Sequence, residues 1–159
     1  MFAVPKSFGS VKWAVICFTV VLLGDQLSKQ LVKIYLDGQN SLKIFPFFNF
    51  VLVRNSGVSF GVLRNISPIF LILASLAVAI YLVLWSRRNT LYRLPMALVV
   101  GGAIGNILDR IFYGSVIDFL DFHICEYHWP AFNVADSSIV IGALLLFFVS
   151  YKCDNEVAS

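Results

Sequence analysis

The sequence predicts an all-α membrane protein, a four-transmembrane-helix bundle with a small β-rich platform on its extracytoplasmic side. Three observations carry this prediction. Hydrophobic residues make up 59% of the 159 and charged residues 13%, about half the usual quarter. A water-soluble core of this size could not hide so much apolar surface. Four segments are long and apolar enough to cross roughly 30 Å of hydrocarbon, and runs of that length mean helices. A fifth, from Leu42 to Val53, is β-branched and aromatic, so it reads as strand. The length suits one integral membrane domain over residues 1–159. Disorder, a disulfide scaffold and a nucleic-acid binder are excluded on the same grounds: the net charge is only +3, and three cysteines cannot all pair.

The first helix is expected over 12–35. Lys6 and Lys12 ahead of an apolar run imitate the start of a signal peptide. No small-x-small cleavage site follows, and no Cys stands where a lipoprotein signal needs one. Apolar character resumes after Asp25 to Lys29, so both charges fall inside the span. The second helix, 67–85, contains no charge at all. The third, 94–112, crowds Asn106, Asp109 and Arg110 into its last two turns. The fourth, 135–151, has Asp136 at its entrance. The segments 36–66 and 113–134 lie outside the membrane on one side, and the Phe-rich strand is expected to rest on the bilayer surface. Arg87, Arg88 and Arg93 fill the short loop on the other side, with Lys6 and Lys12. The positive-inside rule makes that side, with both termini, cytoplasmic. Lys43, Arg54 and Arg64 are spread thinly over the longer outer segment.

This topology brings the acids together. Asp25, Lys29, Asn106, Asp109, Arg110, Asp118, Asp121, Asn133 and Asp136 all fall near the outer boundary, where a charge costs kilocalories unless paired. Singly, each has a plain structural reading. Asp25 and Lys29 are four apart on one helix face and can neutralise each other. Arg110 can snorkel or hold a neighbouring carboxylate. Asn133 or Asp136 can cap a helix. Convergence from three chain segments points beyond structure.

Two familiar patterns fail on context. Gly57-Val58-Ser59-Phe60-Gly61 matches the G-x-S-x-G nucleophile motif, but its strand-to-helix elbow has no place in a membrane bundle. Asp121, His123, Cys125, Glu126 and His128 match no ligand spacing, so no metal or other cofactor is expected. Carboxylate chemistry remains. Two Asp held close at a partly dry site share one proton, and such a pair can activate a water and protonate a leaving amine. Asp109, Asp118, Asp121 and Asp136 compete for the two places, and sequence physics does not choose among them. The rival reading is a small proton-coupled transporter or relay, because buried acids also serve as relays. A relay should spread its acids through the membrane's depth, whereas the inner halves of helices two to four carry none.

Asp25-Gln26-Leu27-Ser28-Lys29, Arg54-Asn55-Ser56-Gly57, and Gly101 to Arg110 (GGAIGNILDR) resemble the bacterial lipoprotein signal peptidase family, signal peptidase II. Gly114-Ser115-Val116-Ile117-Asp118-Phe119 and Phe132-Asn133-Val134-Ala135-Asp136-Ser137 continue the match in the family's order. The resemblance implies an aspartic endopeptidase of the bacterial cytoplasmic membrane. It removes signal peptides from diacylglyceryl-modified prolipoproteins, cutting just before the lipid-modified Cys. It further implies that Asp118 and Asp136 form the dyad. Asn55, Asn106, Asp109, Arg110 and Asn133 would order site and substrate, with Asp25 and Lys29 in support. Its partners would be prolipoproteins and membrane lipid. One departure is visible: Val58-Ser59 stands where the family commonly has small Ala residues.

Overall fold

The computed structural model describes residues 9–36, 38–39, 41–57 and 67–157. Ser59, Lys6 and Arg64 lie outside the described residues. Four helices are long and apolar enough to cross a membrane: α1 (Val11–Tyr35), α2 (Pro68–Arg88), α3 (Arg93–Tyr113) and α4 (Val134–Val157). Pro68 opens α2 at a position where its missing N–H costs nothing. Gly114 ends α3 in the left-handed region at φ 71°, its N–H donating to the Arg110 carbonyl. That turn sends the chain sideways into the sheet.

The four spans match the expected ones with longer ends. α2 continues to Arg88, and α4 to Val157. Hydropathy marks where lipid contact stops, but intrahelical hydrogen bonding carries on into the polar flank.

Helix α3 is the hub, packing against α4, α1 and α2 in turn. Its contact with α4 depends on Gly102. A Cβ there would lie 2.4 Å from both the Ala135 carbonyl and Ser138 Oγ, so any other residue would push the helices apart. Large apolar side chains such as Leu23, Leu73, Phe112 and Phe147 point outward and stay exposed, as lipid contact requires. The buried interior is correspondingly polar at one end.

That end carries the sheet. Strands β1 (Ser41–Phe45), β2 (Phe48–Asn55), β3 (Val116–Ile124) and β4 (Tyr127–His128) run antiparallel in the order β1-β2-β3-β4. β1 and β2 are the expected strand folded into a hairpin. β3 is more than the sequence segment 113–134 suggested, because it places Asp118 on a central strand. Its Val116-Ile117-Asp118-Phe119-Leu120 run has the β-branched and aromatic character that favours a strand. A register shift in the β2–β3 pairing between Phe50 and Val53 lets Asn55 reach Asp118.

Candidate active site

The polar end of the bundle is built around Lys29. Its Nζ lies 2.8 Å from Asp25 Oδ2 and 2.9 Å from Asp109 Oδ2, and donates to Asn106 Oδ1 at 3.0 Å. The three charged side chains are 0%, 1% and 1% exposed for Asp25, Lys29 and Asp109. One buried cation facing two carboxylates is tolerable only if the remaining lone pairs are also satisfied. They are. Asp25 Oδ1 accepts from the Ala135 N–H at 2.9 Å, and Asp109 Oδ2 from the Ile117 N–H at 3.1 Å. Gln26 Nε2 donates to Asp25 Oδ2, Asp109 Oδ1 and the Gly105 carbonyl. Gly105 has no side chain because a Cβ would sit 2.6 Å from Asp25 Oδ2.

This cluster fixes the start of α4 and the start of β3 against α1 and α3. The Asp25–Lys29 pair is therefore part of a triad with Asp109, rather than a self-contained neutralisation. Gln26, quoted in the sequence motif without a role, is its amide clamp. Only contact across helices reveals either fact.

Asp118 and Asp136 occupy the layer above. Asn133 donates from Nδ2 to Asp118 Oδ1 at 2.7 Å, and Asn55 Nδ2 donates to Asp118 Oδ2 at 2.9 Å. Asn106 Nδ2 donates to Asp136 Oδ1 at 2.8 Å. The Asn133 backbone N–H donates to Asp136 Oδ2 at 3.3 Å, and Asn133 Oδ1 accepts from the Asp136 N–H at 2.8 Å. That reciprocal pair is a capping box at the α4 N-terminus. Asn133 thus caps the helix and also ties the two carboxylates to each other.

The four competing acids now separate. Asp109 is committed to Lys29. Asp121 accepts from Asn49 at 2.9 Å and faces His128 Nδ1 at 2.8 Å. Burial alone would raise the Asp121 pKa, but the hydrogen bonds from His128 and Asn49 outweigh it and hold the carboxyl below the usual range. Among the described residues, Asp118 and Asp136 make no ion pair. Neutral amides hold them instead. Burial pushes the Asp118 carboxyl up to about 6, against the Asn55 hydrogen bond and with the Asp136 charge. A group poised there can hold or release a proton near neutrality.

Arg110 borders this layer, its Nη2 donating to the Gly57 carbonyl at 3.0 Å and its buried Nε unpartnered. His123 and His128 stack at 4.7 Å on the far part of the sheet. Among the described residues, no three of His, Cys, Asp and Glu converge as metal ligands.

Fold and site together define a multi-pass membrane protein with buried carboxylates gathered at one end of its helices. The family model described as Signal peptidase (SPase) II matches residues 17–152. The chain is 41% identical over 133 residues to a lipoprotein signal peptidase of Thermodesulfovibrio yellowstonii, covering 84% of this chain and 90% of that one. It is 47% identical over 136 residues to one from Paraburkholderia phymatum, covering 81% of each. A solved bacterial membrane enzyme structure superposes with a TM-score of 0.78 at 29% identity, covering 89% of both chains. The chain belongs to the signal peptidase II family, and so to the proteases.

Proposed function

We propose that this chain is an intramembrane aspartic endopeptidase. It releases the signal peptide of diacylglyceryl-modified prolipoproteins by cutting just before the lipid-modified Cys. Family membership supports the processing of prolipoproteins. The observation that carries the aspartic mechanism is the Asn133 bridge, which joins Asp118 to Asp136 while neither, among the described residues, makes an ion pair.

In this reading a water lies between the two carboxyls. The charged one takes its proton as the oxygen attacks the scissile carbonyl, and the protonated one gives its proton to the carbonyl oxygen. Collapse of the tetrahedral intermediate transfers a proton to the leaving Cys amine and restores the shared-proton state. Asn55, Asn106 and Asn133 hold the carboxyls with neutral donors, which favour the anion less strongly than a paired cation would and so leave the proton exchangeable. Arg110 offers the further N–H groups of its Nη1 and Nη2 to the substrate backbone or lipid ester. Asp25, Lys29 and Asp109 supply the rigid base on which β3 and α4 meet. The arginine-rich loop Arg87–Arg93 and both termini face the cytoplasm, and the site opens near the extracytoplasmic face of the inner membrane.

The test is turnover of a diacylglyceryl-Cys prolipoprotein by purified, folded variants. Asp118→Asn and Asp136→Asn should each lose at least roughly a hundredfold, the lower range for one acid–base partner. Asp109→Asn should impair positioning, whereas Ser59→Ala and His123→Ala should cleave nearly normally. Near-native cleavage by either dyad variant overturns the mechanism.

A further inference from the structure

Away from the dyad, the sheet carries a second polar recess that the reaction does not use. β2 and β3 place Asn49 directly opposite Asp121, and β1 places Lys43 directly opposite Asn49. Asn49 is 7% and Asp121 5% exposed. Asn49 Nδ2 is fixed as the donor to Asp121, so its amide oxygen is the free end, buried and without a partner. An orphaned buried acceptor is costly enough to call for a donor. His128 turns Nδ1 to the Asp121 carboxylate, which puts the ring proton on Nδ1 and leaves Nε2 as an acceptor in the neutral ring. These groups line a cleft of about 400 Å³ with Ser41, Trp129 and Pro130 as walls.

Trp129 also lines a neighbouring cleft of about 410 Å³ that is almost wholly apolar, formed with Phe47, Phe122, Ile124 and Tyr127. A recess that sets the acceptors of Asn49, Asp121 and His128 among apolar walls (Val51, Val53, Ala131) and a more apolar one of similar size therefore share Trp129. One molecule with a cationic head and an apolar body would fill both.

We propose that this face of the sheet binds a phospholipid with a primary ammonium headgroup, of the ethanolamine type. The ammonium lies on Asp121 and donates to Asn49 Oδ1 and His128 Nε2. The phosphate reaches the exposed Lys43 on β1, and the glycerol and upper acyl carbons lie over Phe47, Tyr127 and Trp129. A trimethylammonium headgroup carries the same charge but has no N–H for the amide oxygen. A glycerol headgroup has no cation for Asp121. The recess is separate from the dyad, so this site serves to seat the sheet on the bilayer rather than to react.

The experiment is native mass spectrometry of the full chain in detergent, with equal amounts of phosphatidylethanolamine, phosphatidylcholine and phosphatidylglycerol of the same acyl chains. The wild type should retain the ethanolamine lipid about tenfold over the choline lipid, the discrimination of one charge-assisted hydrogen bond. Asp121→Asn, which removes the charge that both ammonium headgroups meet, should abolish the preference of either over phosphatidylglycerol. Lys43→Gln, an exposed change that leaves the recess intact, should weaken both lipids equally because it touches only the shared phosphate. Equal retention of the ethanolamine and choline lipids by the wild type overturns the proposal, as does a preference over phosphatidylglycerol that survives in folded Asp121→Asn. Should soluble O-phosphoethanolamine compete as well as the lipid, the apolar cleft contributes nothing and the lipid assignment is wrong.

Discussion

Replacing Lys29 by Ala removes the only cation that, among the described residues, pairs with Asp25 and Asp109 in a site with essentially no exposure. Two carboxylates then face each other's field with amides and backbone N–H groups as their remaining partners. Breaking a buried ion pair from one side costs about 3–5 kcal/mol. For 150–250 residues each kcal/mol moves Tm by about 2–4 °C, so the fall should be roughly 6–20 °C. The structure also predicts the pattern of rescue. Asp25→Asn with Lys29→Gln should recover only part of the loss, since Asp109 keeps its charge, and adding Asp109→Asn should recover more. The assay is thermal unfolding of the purified protein in one detergent, beside the level of folded protein in membranes. A Lys29→Ala protein that melts with the wild type but fails to cleave would refute the reasoning and move Lys29 into the reacting machinery.

Gly105→Ala should be destabilising by about 1–3 kcal/mol, the usual range for overpacking, because its methyl would meet Asp25 Oδ2 at 2.6 Å. Gly24→Ala has nothing within 4 Å and should be neutral or better by thermal unfolding, so equal effects would refute the packing account. With Asp118 near 6, raising the pH strips the dyad of its shared proton, and log kcat/KM should fall above about pH 6 with a slope approaching −1. The Asn55 hydrogen bond holds that pKa down, so Asn55→Ala should move the falling limb to higher pH; a profile flat from pH 5 to 8 would exclude Asp118 as the titrating group. Cysteine-accessibility labelling at Asn89 should report the cytoplasmic side, and labelling from outside would reverse the topology.

The sequence revealed most where the information is local. Four spans follow from composition, and the pairing of Asp25 with Lys29 follows from helical period. The strand character of Leu42 to Val53 follows from its Phe and Val, but not its division into a hairpin, β1 and β2, around Pro46. What it withheld depends on contacts between distant segments. Lys29 and Asp109 are eighty positions apart, and nothing in either helix alone says that they touch. Asp118 read as part of a loop because its β character is carried by five residues between two helices, and its partner strand lies sixty positions earlier. The different surroundings of the four acids needed the third dimension as well. Asp121 and Asp109 each acquire a cationic or imidazole neighbour from another element, and that neighbour is what sets them apart from Asp118 and Asp136.

The plain reading of Asn133 and Asp136 as helix caps and the proposed functional reading call on the same atoms. A helix beginning inside the polar end of a membrane bundle must satisfy its first N–H groups there, since lipid offers no water to do so. Asn133 Oδ1 and Asp136 Oδ2 meet two of those needs reciprocally. The geometry leaves Asn133 Nδ2 pointing away from the helix, where it finds Asp118, Asn106 and the Ile117 carbonyl. The cap therefore orients the bridging amide. In the proposed mechanism the pair shares a proton, and the buried ammonium of Lys29 stands a layer below, holding the scaffold. Lys29 placed against the dyad would have trapped both carboxyls as anions and ended the proton sharing on which the proposed chemistry depends.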